Sequence, residues 1–177
     1  MAQFKIAFQK TLLHEGDYSN DLSDLGGETY KGIARNMHAS WSGWRTIDTY
    51  KKKSGFPATL NKDAELQKQV EEFYLITFWG TLKAYDIQNQ SNADSIFDFA
   101  VNTGIKNSIL KVQKIIGATE DGIIGNETLA KFNEYNPTLF RFEFTLAKIK
   151  YNIAITKKRP ANKKFLYGWI VRALEYA

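Results

Sequence analysis

The chain opens with Phe4, Phe8, Thr11 and Leu12 at helical spacing, which predicts an amphipathic first helix ending at Glu15. At 100° per residue Glu15 returns to within about 20° of Phe4, so its carboxylate is expected on the apolar side. Lost hydration there disfavours the charged form and raises the pKa toward the range useful for donating a proton near neutrality. Gly16 follows, and a positive φ at that glycine would end the helix beside an open loop. Between Tyr18 and Gly32 the chain is rich in Asp, Ser, Asn and Gly. Tyr30 with Ile33 and Ala34 predicts at most a small hairpin within residues 18–34.

Beyond Gly43 the apolar spacing is helical throughout. One helix is expected from Ser42 to Lys53, and another from Asn61 to Gly80 carrying Leu66, Val70, Phe73 and Thr77. A break at Gln88 to Ser91 separates the halves. Ser91 or Asn92 is the expected cap of a helix with Ile96, Phe97, Ala100 and Val101, closed by Gly104. Ile105, Ile109, Val112 and Ile116 mark the next, ended by Gly117, and Asp121-Gly122 makes a tight turn. Gly125 and Asn126 open a short helix with Leu129 and Phe132. Pro137 begins a long one in which Leu139, Phe142, Leu146, Ile149 and Ile153 repeat at three and four. Pro160 stops it, and Phe165, Leu166, Trp169, Ile170 and Leu174 belong to the last. The fold class is all-α, in two lobes: residues 1–90 and residues 91–177 packed against them. Helices this short owe their stability to tertiary packing.

With 177 residues and 44% hydrophobic composition, a core needs no covalent staples. There is no cysteine, so thiol nucleophiles, disulfides and Cys-ligated metals are excluded. The first ten residues are broken by polar groups at every turn, unlike a signal peptide or a membrane span. The protein is therefore expected to be made in the cytoplasm, to make no stable membrane insertion, and to reach any external substrate by another route. Net charge is +5, favouring anionic partners without choosing among them. No recognition-helix signature accompanies the charge, so nucleic acid is not an expected partner.

Several constellations along the chain bear on chemistry. Asp17, Ser19, Asp21, Ser23 and Glu28 follow the EF-hand count, but Leu22 stands where the loop requires glycine, so no metal is expected. His14 and His38 lack metal-ligand spacing. No nucleophile elbow, P-loop or dinucleotide fingerprint is present. Tyr18 and Tyr30 bring amphipathic rings that suit sugar stacking as well as packing. Asp98 and Asn102, one helical turn apart, either face a cleft and bind sugar hydroxyls or, for Asp98, form an ion pair within the fold.

In order and spacing these motifs resemble the glycoside hydrolase family 108 N-acetylmuramidases, phage and bacterial lysozyme-like proteins also called secretion activators. The family's E-G-G-Y motif is matched by Glu15-Gly16-Asp17-Tyr18, with Asp17 replacing the second glycine. Its D-x-G-G-x-T-x-x-G-I pattern is matched by Asp24, Gly26, Gly27, Thr29, Gly32 and Ile33. Tyr74, Phe78 and Trp79 resemble its aromatic helix end. The second half resembles the family's peptidoglycan-binding module through residues 98–104, Asp121-Gly122 with Gly125 and Thr128, and Gly168-Trp169-Ile170-Val171-Arg172.

The resemblance implies a lysozyme-like fold and a monomeric, cofactor-free hydrolase. Its reaction would be cleavage of the β-1,4 bond between N-acetylmuramic acid and N-acetylglucosamine in peptidoglycan. Glu15 would be the general acid and Asp24 the second carboxylate, with Asp17, Asp21 and Glu28 as competitors. Tyr18, Thr29, Tyr30, Asp98 and Asn102 would bind substrate. A lytic transglycosylase and a non-catalytic peptidoglycan-binding or secretion protein that keeps the fold are the alternatives.

Overall fold

The structure, a computed structural model, describes residues 1–20 and 27–177. Asp21 and Asp24 therefore lie outside the described residues. The described residues are mostly helical, as the spacing predicts, with one small antiparallel sheet of three strands where at most a hairpin was expected, and the chain divides into two compact units: residues 8–77, and residues 1–7 with 78–177.

Helix α1 spans Phe4–Leu12, three residues short of the expected end. Past Leu12 the backbone tightens: Leu13, His14 and Glu15 each donate to the carbonyl three residues earlier. Such 3₁₀ turns advance about 120° per residue rather than 100°. Three of them swing Glu15 about 60° off the stripe that a continued helix would follow.

In the unit of residues 8–77, strands β1 (Tyr18–Asn20), β2 (Glu28–Tyr30) and β3 (Ile33–Ala34) form an antiparallel meander. Tyr18 pairs with Tyr30, and Tyr30 with Ile33. The two-residue turn Lys31-Gly32 has φ of 44° and 77°, the double positive φ of a type I′ hairpin turn, whose twist matches that of the flanking strands. Helix α2 (Gly43–Tyr50) buries Trp44 and Ile47. The expected single helix from Asn61 to Gly80 is three pieces: a 3₁₀ turn at Ala58–Lys62, α3 at Ala64–Tyr74, and a π-helical turn at Leu75–Gly80. The first break has a plain cause. The Asp63 carboxylate accepts from the Leu66 amide at 2.9 Å, so it caps a new helix instead of sitting inside an old one.

In the other unit, α4 (Gln90–Thr103) is buried at every position from Asn92 to Ala100, and its cap is Asn89, which accepts from the Asn92 amide at 3.0 Å. Ser91 and Asn92 are thus already inside the helix. Helices α5 (Ile105–Ile116) and α6 (Asn126–Glu134) flank the Asp121-Gly122 turn, where Gln113 donates to Asp121 at 2.7 Å and accepts from the Gly122 amide at 2.9 Å. Helix α7 (Pro137–Lys158) is capped by Asn136 and followed by Pro160, and α8 (Lys163–Leu174) packs on it.

The apolar three-and-four repeat on α7 does not face the core. Phe140, Phe144, Lys148, Asn152 and Thr156, one every four residues, face inward, whereas Leu139, Phe142, Leu146 and Ile153 are exposed. Spacing alone marks a face without saying whether the fold covers it. Here Phe140 and Phe144 stack at 5.2 Å in the core, and Lys148 is carried in behind them.

Candidate functional site

The Glu15 side chain, half-buried, reaches the hairpin turn. A Cβ placed on Gly32 would stand 2.5 Å from Glu15 Oε2 and 2.5 Å from the Tyr74 hydroxyl. Only glycine fits there, on steric grounds as well as for its φ of 77°. The turn is fastened on both sides. The Tyr74 hydroxyl donates to the Lys31 carbonyl at 2.7 Å, and the Lys31 amide donates to the Asp17 carbonyl at 2.7 Å. These bonds hold Lys31 in a left-handed conformation that costs a non-glycine residue about 1 kcal/mol or more. The carboxylate, the tyrosine hydroxyl and the bare glycine backbone thus meet at one point, contributed by the end of α1, the end of α3 and the β2–β3 turn.

Gly16, expected to end α1 with positive φ, does not adopt it. The 3₁₀ turns end the helix instead. Asp17, in place of the motif's second glycine, also lies outside the positive-φ region, so its Cβ meets no backbone penalty. Its exposed carboxylate lies 3.7 Å from the Lys31 ammonium, tying the same turn once more.

Beside this point lies a network of charges. Glu28 accepts from the Tyr18 hydroxyl at 2.9 Å and pairs with Arg35 at 2.7 Å and Lys51 at 2.6 Å, while Arg35 also grips Asp48 through two hydrogen bonds. Burial alone pushes the Glu28 carboxyl up, but the bonds from Lys51, Arg35 and Tyr18 outweigh it and hold the pKa below its usual value. Burial, then the bond to Glu28, pushes Tyr18 up to about 12. Glu28 is therefore a structural anion that clamps the sheet to α2, committed to three donors and poorly suited to take a proton from water.

The other expected site residues separate. Tyr18 stays partly accessible, its ring edge-on to Phe56 at 4.7 Å. Thr29 is half-buried and donates to the Gly27 carbonyl at 3.2 Å. Tyr30 is not a stacking platform. It is 1% exposed, and its hydroxyl donates to Asn61 and accepts from Gln67, both at 2.9 Å. Asp98 is likewise buried, with both oxygens bonded to Arg172 at 2.7 to 3.1 Å, so its place is the ion pair within the fold. Asn102, one turn on, is exposed and shares none of that environment.

Missed from the spacing were the Arg35–Asp48 pair and Lys148. Lys148 is 2% exposed; its ammonium donates to Ser95 at 2.9 Å and lies over the rings of Phe144 and Tyr176. Burial pulls its pKa down to about 8, against the opposing pull of Asp98. The signal for it was present: Lys148 falls on the same four-residue row as Phe140 and Phe144. A groove of about 480 Å³ runs along α1 and α3, lined by Phe8, Leu12, Asn61, Gln67, Lys68 and Glu71 among others; Glu15 is not one of its walls.

Comparison with known proteins agrees with the motif resemblance. The model of the family described as "Glycosyl hydrolase 108" matches residues 8–104, more than half of the chain. A second, described as "Predicted Peptidoglycan domain", matches residues 107–174. Among solved structures, SagA of Brucella abortus is similar with a TM-score of 0.70 over 98% of this chain and 90% of that one, at 22% identity, a likeness of fold. No curated protein matches. The two family models together support peptidoglycan as the partner. The chain belongs to the glycosyl hydrolase 108 family and carries a peptidoglycan-domain module after the hydrolase region.

Proposed function

We propose that the protein is an N-acetylmuramidase that hydrolyses the β-1,4 bond between N-acetylmuramic acid and N-acetylglucosamine, with Glu15 as general acid. The observation that carries this is the seating of the Glu15 carboxylate against Gly32 and the Tyr74 hydroxyl. A proton donor works only if it is held within hydrogen-bonding reach of the leaving oxygen, and a side chain placed on a fastened turn has little freedom to lose on binding. Protonation of the glycosidic oxygen by Glu15 would let the bond break as positive charge develops on the muramic acid ring.

Asp24 is proposed as the second carboxylate, to orient water or to balance that charge. Of its competitors, Glu28 is committed to its ion network and Asp17 is an exposed carboxylate 3.7 Å from the Lys31 ammonium, while Asp21, like Asp24, lies outside the described residues. Tyr18 and Thr29 would contribute to glycan binding beside the turn. Because the substrate lies outside the cytoplasm, release at lysis or a dedicated export system would carry the enzyme to it.

Mass spectrometry of digested peptidoglycan tests the reaction. New reducing ends on muramic acid, absent with Glu15→Gln, are the expected result. Anhydro-muramyl products would make the protein a lytic transglycosylase. Binding to the wall with no cleavage by the wild type would make it a binding protein that keeps the fold.

A further inference from the structure

The outward face of α7 is apolar where an ordinary surface helix is polar. Leu139, Phe142, Leu146 and Ile153 are 48%, 58%, 56% and 39% exposed, and with Ile149 they follow a three-and-four repeat over four turns. On a helical wheel these five fall within about 80° of one another, and Lys150 and Lys157 share the sector or border it. Next to this face lies a groove of about 660 Å³ between α5 and α7, whose lining includes Leu146, Ile115 and Tyr151, the lysines Lys111, Lys114 and Lys150, and one carboxylate, Glu143. On α8, Tyr167, Val171 and Leu174 are also exposed, at helical spacing with Lys164.

Charge is distributed to match. Residues 137–177 carry nine Lys and Arg against two Glu, a net +7, so residues 1–136 carry −2 of the total +5. Two of the nine, Lys148 and Arg172, are drawn inward around Asp98. Of the seven others, Arg141 is half-buried, and Lys150, Lys157, Lys158, Arg159, Lys163 and Lys164 are exposed. The region that carries this continuous apolar stripe is therefore the region that holds all of the molecule's excess positive charge, whereas the exposed apolar residues before it, such as Leu13, Met37 and Ile76, are scattered along the sequence.

We propose that this face adsorbs to the surface of an anionic lipid bilayer. An amphipathic helix lying in the plane of the interface buries its apolar side chains about 5–10 Å deep while cationic neighbours reach the headgroups. Lysines at the edge of the stripe suit this, since their methylene stems cover apolar surface and their ammonium groups stay wet. The combination discriminates among occupants. A second copy would set one cationic face against another, and glycan strands offer hydroxyls to a stripe that needs acyl chains. No helix among the described residues is long and apolar enough to cross a membrane, so the contact is one of adsorption. This inference stands apart from the role of Glu15.

The test is sedimentation of the full-length protein with vesicles of equal parts phosphatidylglycerol and phosphatidylcholine, against vesicles of phosphatidylcholine alone. Binding to the anionic vesicles at least roughly tenfold tighter, weakening as salt rises, is expected. The double substitution Phe142→Glu with Leu146→Glu should reduce it roughly tenfold or more. Phe142→Ala with Leu146→Ala, which adds no charge, should reduce it by a smaller factor with the thermal midpoint preserved. Binding to neither vesicle, or equal binding that ignores these substitutions, overturns the proposal. So does a concentration-dependent dimer in sedimentation velocity that Phe142→Glu dissolves, or loss of sacculus binding by the variants while vesicle binding is retained.

Discussion

Glu15 and Asp98 are both carboxylates beside aromatic residues, and the two regions around them use that group in opposite ways. Asp98 is enclosed by α4, with Arg172 occupying both oxygens and Lys148 close enough to feel its charge. Glu15 stands on a tightened turn at the end of α1, half-accessible, its carboxylate seated on a glycine. The lesson concerns what surrounds an acid. A buried carboxylate with a bidentate arginine has its lone pairs spent within the fold and leaves nothing to give a substrate. One placed at an accessible turn stays within reach of a substrate.

The sharpest way to break this contrast is to neutralise each acid and ask what is lost. Glu15→Gln should lower the rate of wall clearing by about 10²–10⁴-fold, on the order of 3–5 kcal/mol in the barrier, with a denaturation midpoint close to wild type. Asp98→Ala should do the reverse. Removing one partner of a buried pair takes the carboxylate away from Arg172 and Lys148 and should destabilise by about 3–5 kcal/mol in urea unfolding, while the folded fraction keeps its activity. Clearing that survives Glu15→Gln, or a stable but inactive Asp98→Ala protein, would exchange the two roles.

Lys148 sharpens the same comparison through pH. Its pKa in the fold is about 8 against 10.5 ordinarily, so in this window the unfolded chain binds the extra proton. Stability must then rise with pH between about 8 and 10.5, by up to about 3 kcal/mol from this group. The charged groups that act on it are Asp98, which favours the ammonium, and Arg172, which opposes it. Lys148→Met, of similar length, should flatten the slope; the check is the difference in urea midpoint between wild type and variant at about pH 7.5 and about pH 9.5. An unchanged slope would show the ammonium to be better compensated than its burial implies.

Gly32→Ala probes the Glu15 side. The added Cβ meets the carboxylate and the Tyr74 hydroxyl at 2.5 Å, in a backbone conformation that alanine disfavours. Destabilisation of about 1–3 kcal/mol is expected. Activity per folded molecule should also fall, about tenfold, because the carboxylate must shift to make room. Loss of stability with full specific activity would mean that Glu15 tolerates displacement, which a positioned acid does not.

What was legible in the chain divides along the same line. Helices, their glycine stops at Gly104 and Gly117, and the Pro137 start follow from local chemistry, and local chemistry is what spacing reports. The motif order also carried the family. Less legible was anything decided by what covers a face. The repeat of Leu139, Phe142 and Leu146 marks a helix, but whether that face is covered depended on which side α4 and α5 claimed. Tyr30 and Asp98 read as ligands for glycan because polar tips in a promising motif look alike whether their partner is a sugar or Asn61, Gln67 and Arg172. The turn at Glu15 was misplaced for a smaller reason: a 3₁₀ continuation and an α-helical one begin with the same residues and diverge by about 20° at each step.

The smallest expected effect is at Tyr18, where the two kinds of chemistry overlap. Its hydroxyl belongs to the Glu28 network, and its ring is the part that would lie against a sugar. Tyr18→Phe removes the hydroxyl alone and should cost about 1 kcal/mol, since Glu28 keeps Arg35 and Lys51. The pH dependence has the sign opposite to that of Lys148. The folded-state pKa is raised to about 12 from 10, so the stabilisation is complete below pH 10 and is lost as pH rises toward 12. Turnover and KM on peptidoglycan should be nearly unchanged by Tyr18→Phe, while Tyr18→Ala should raise KM by several-fold, roughly the worth of one stacked ring. A KM raised equally by both would place the hydroxyl, through Glu28, in the recognition of substrate, and the ion network would then belong to the site as well as to the fold.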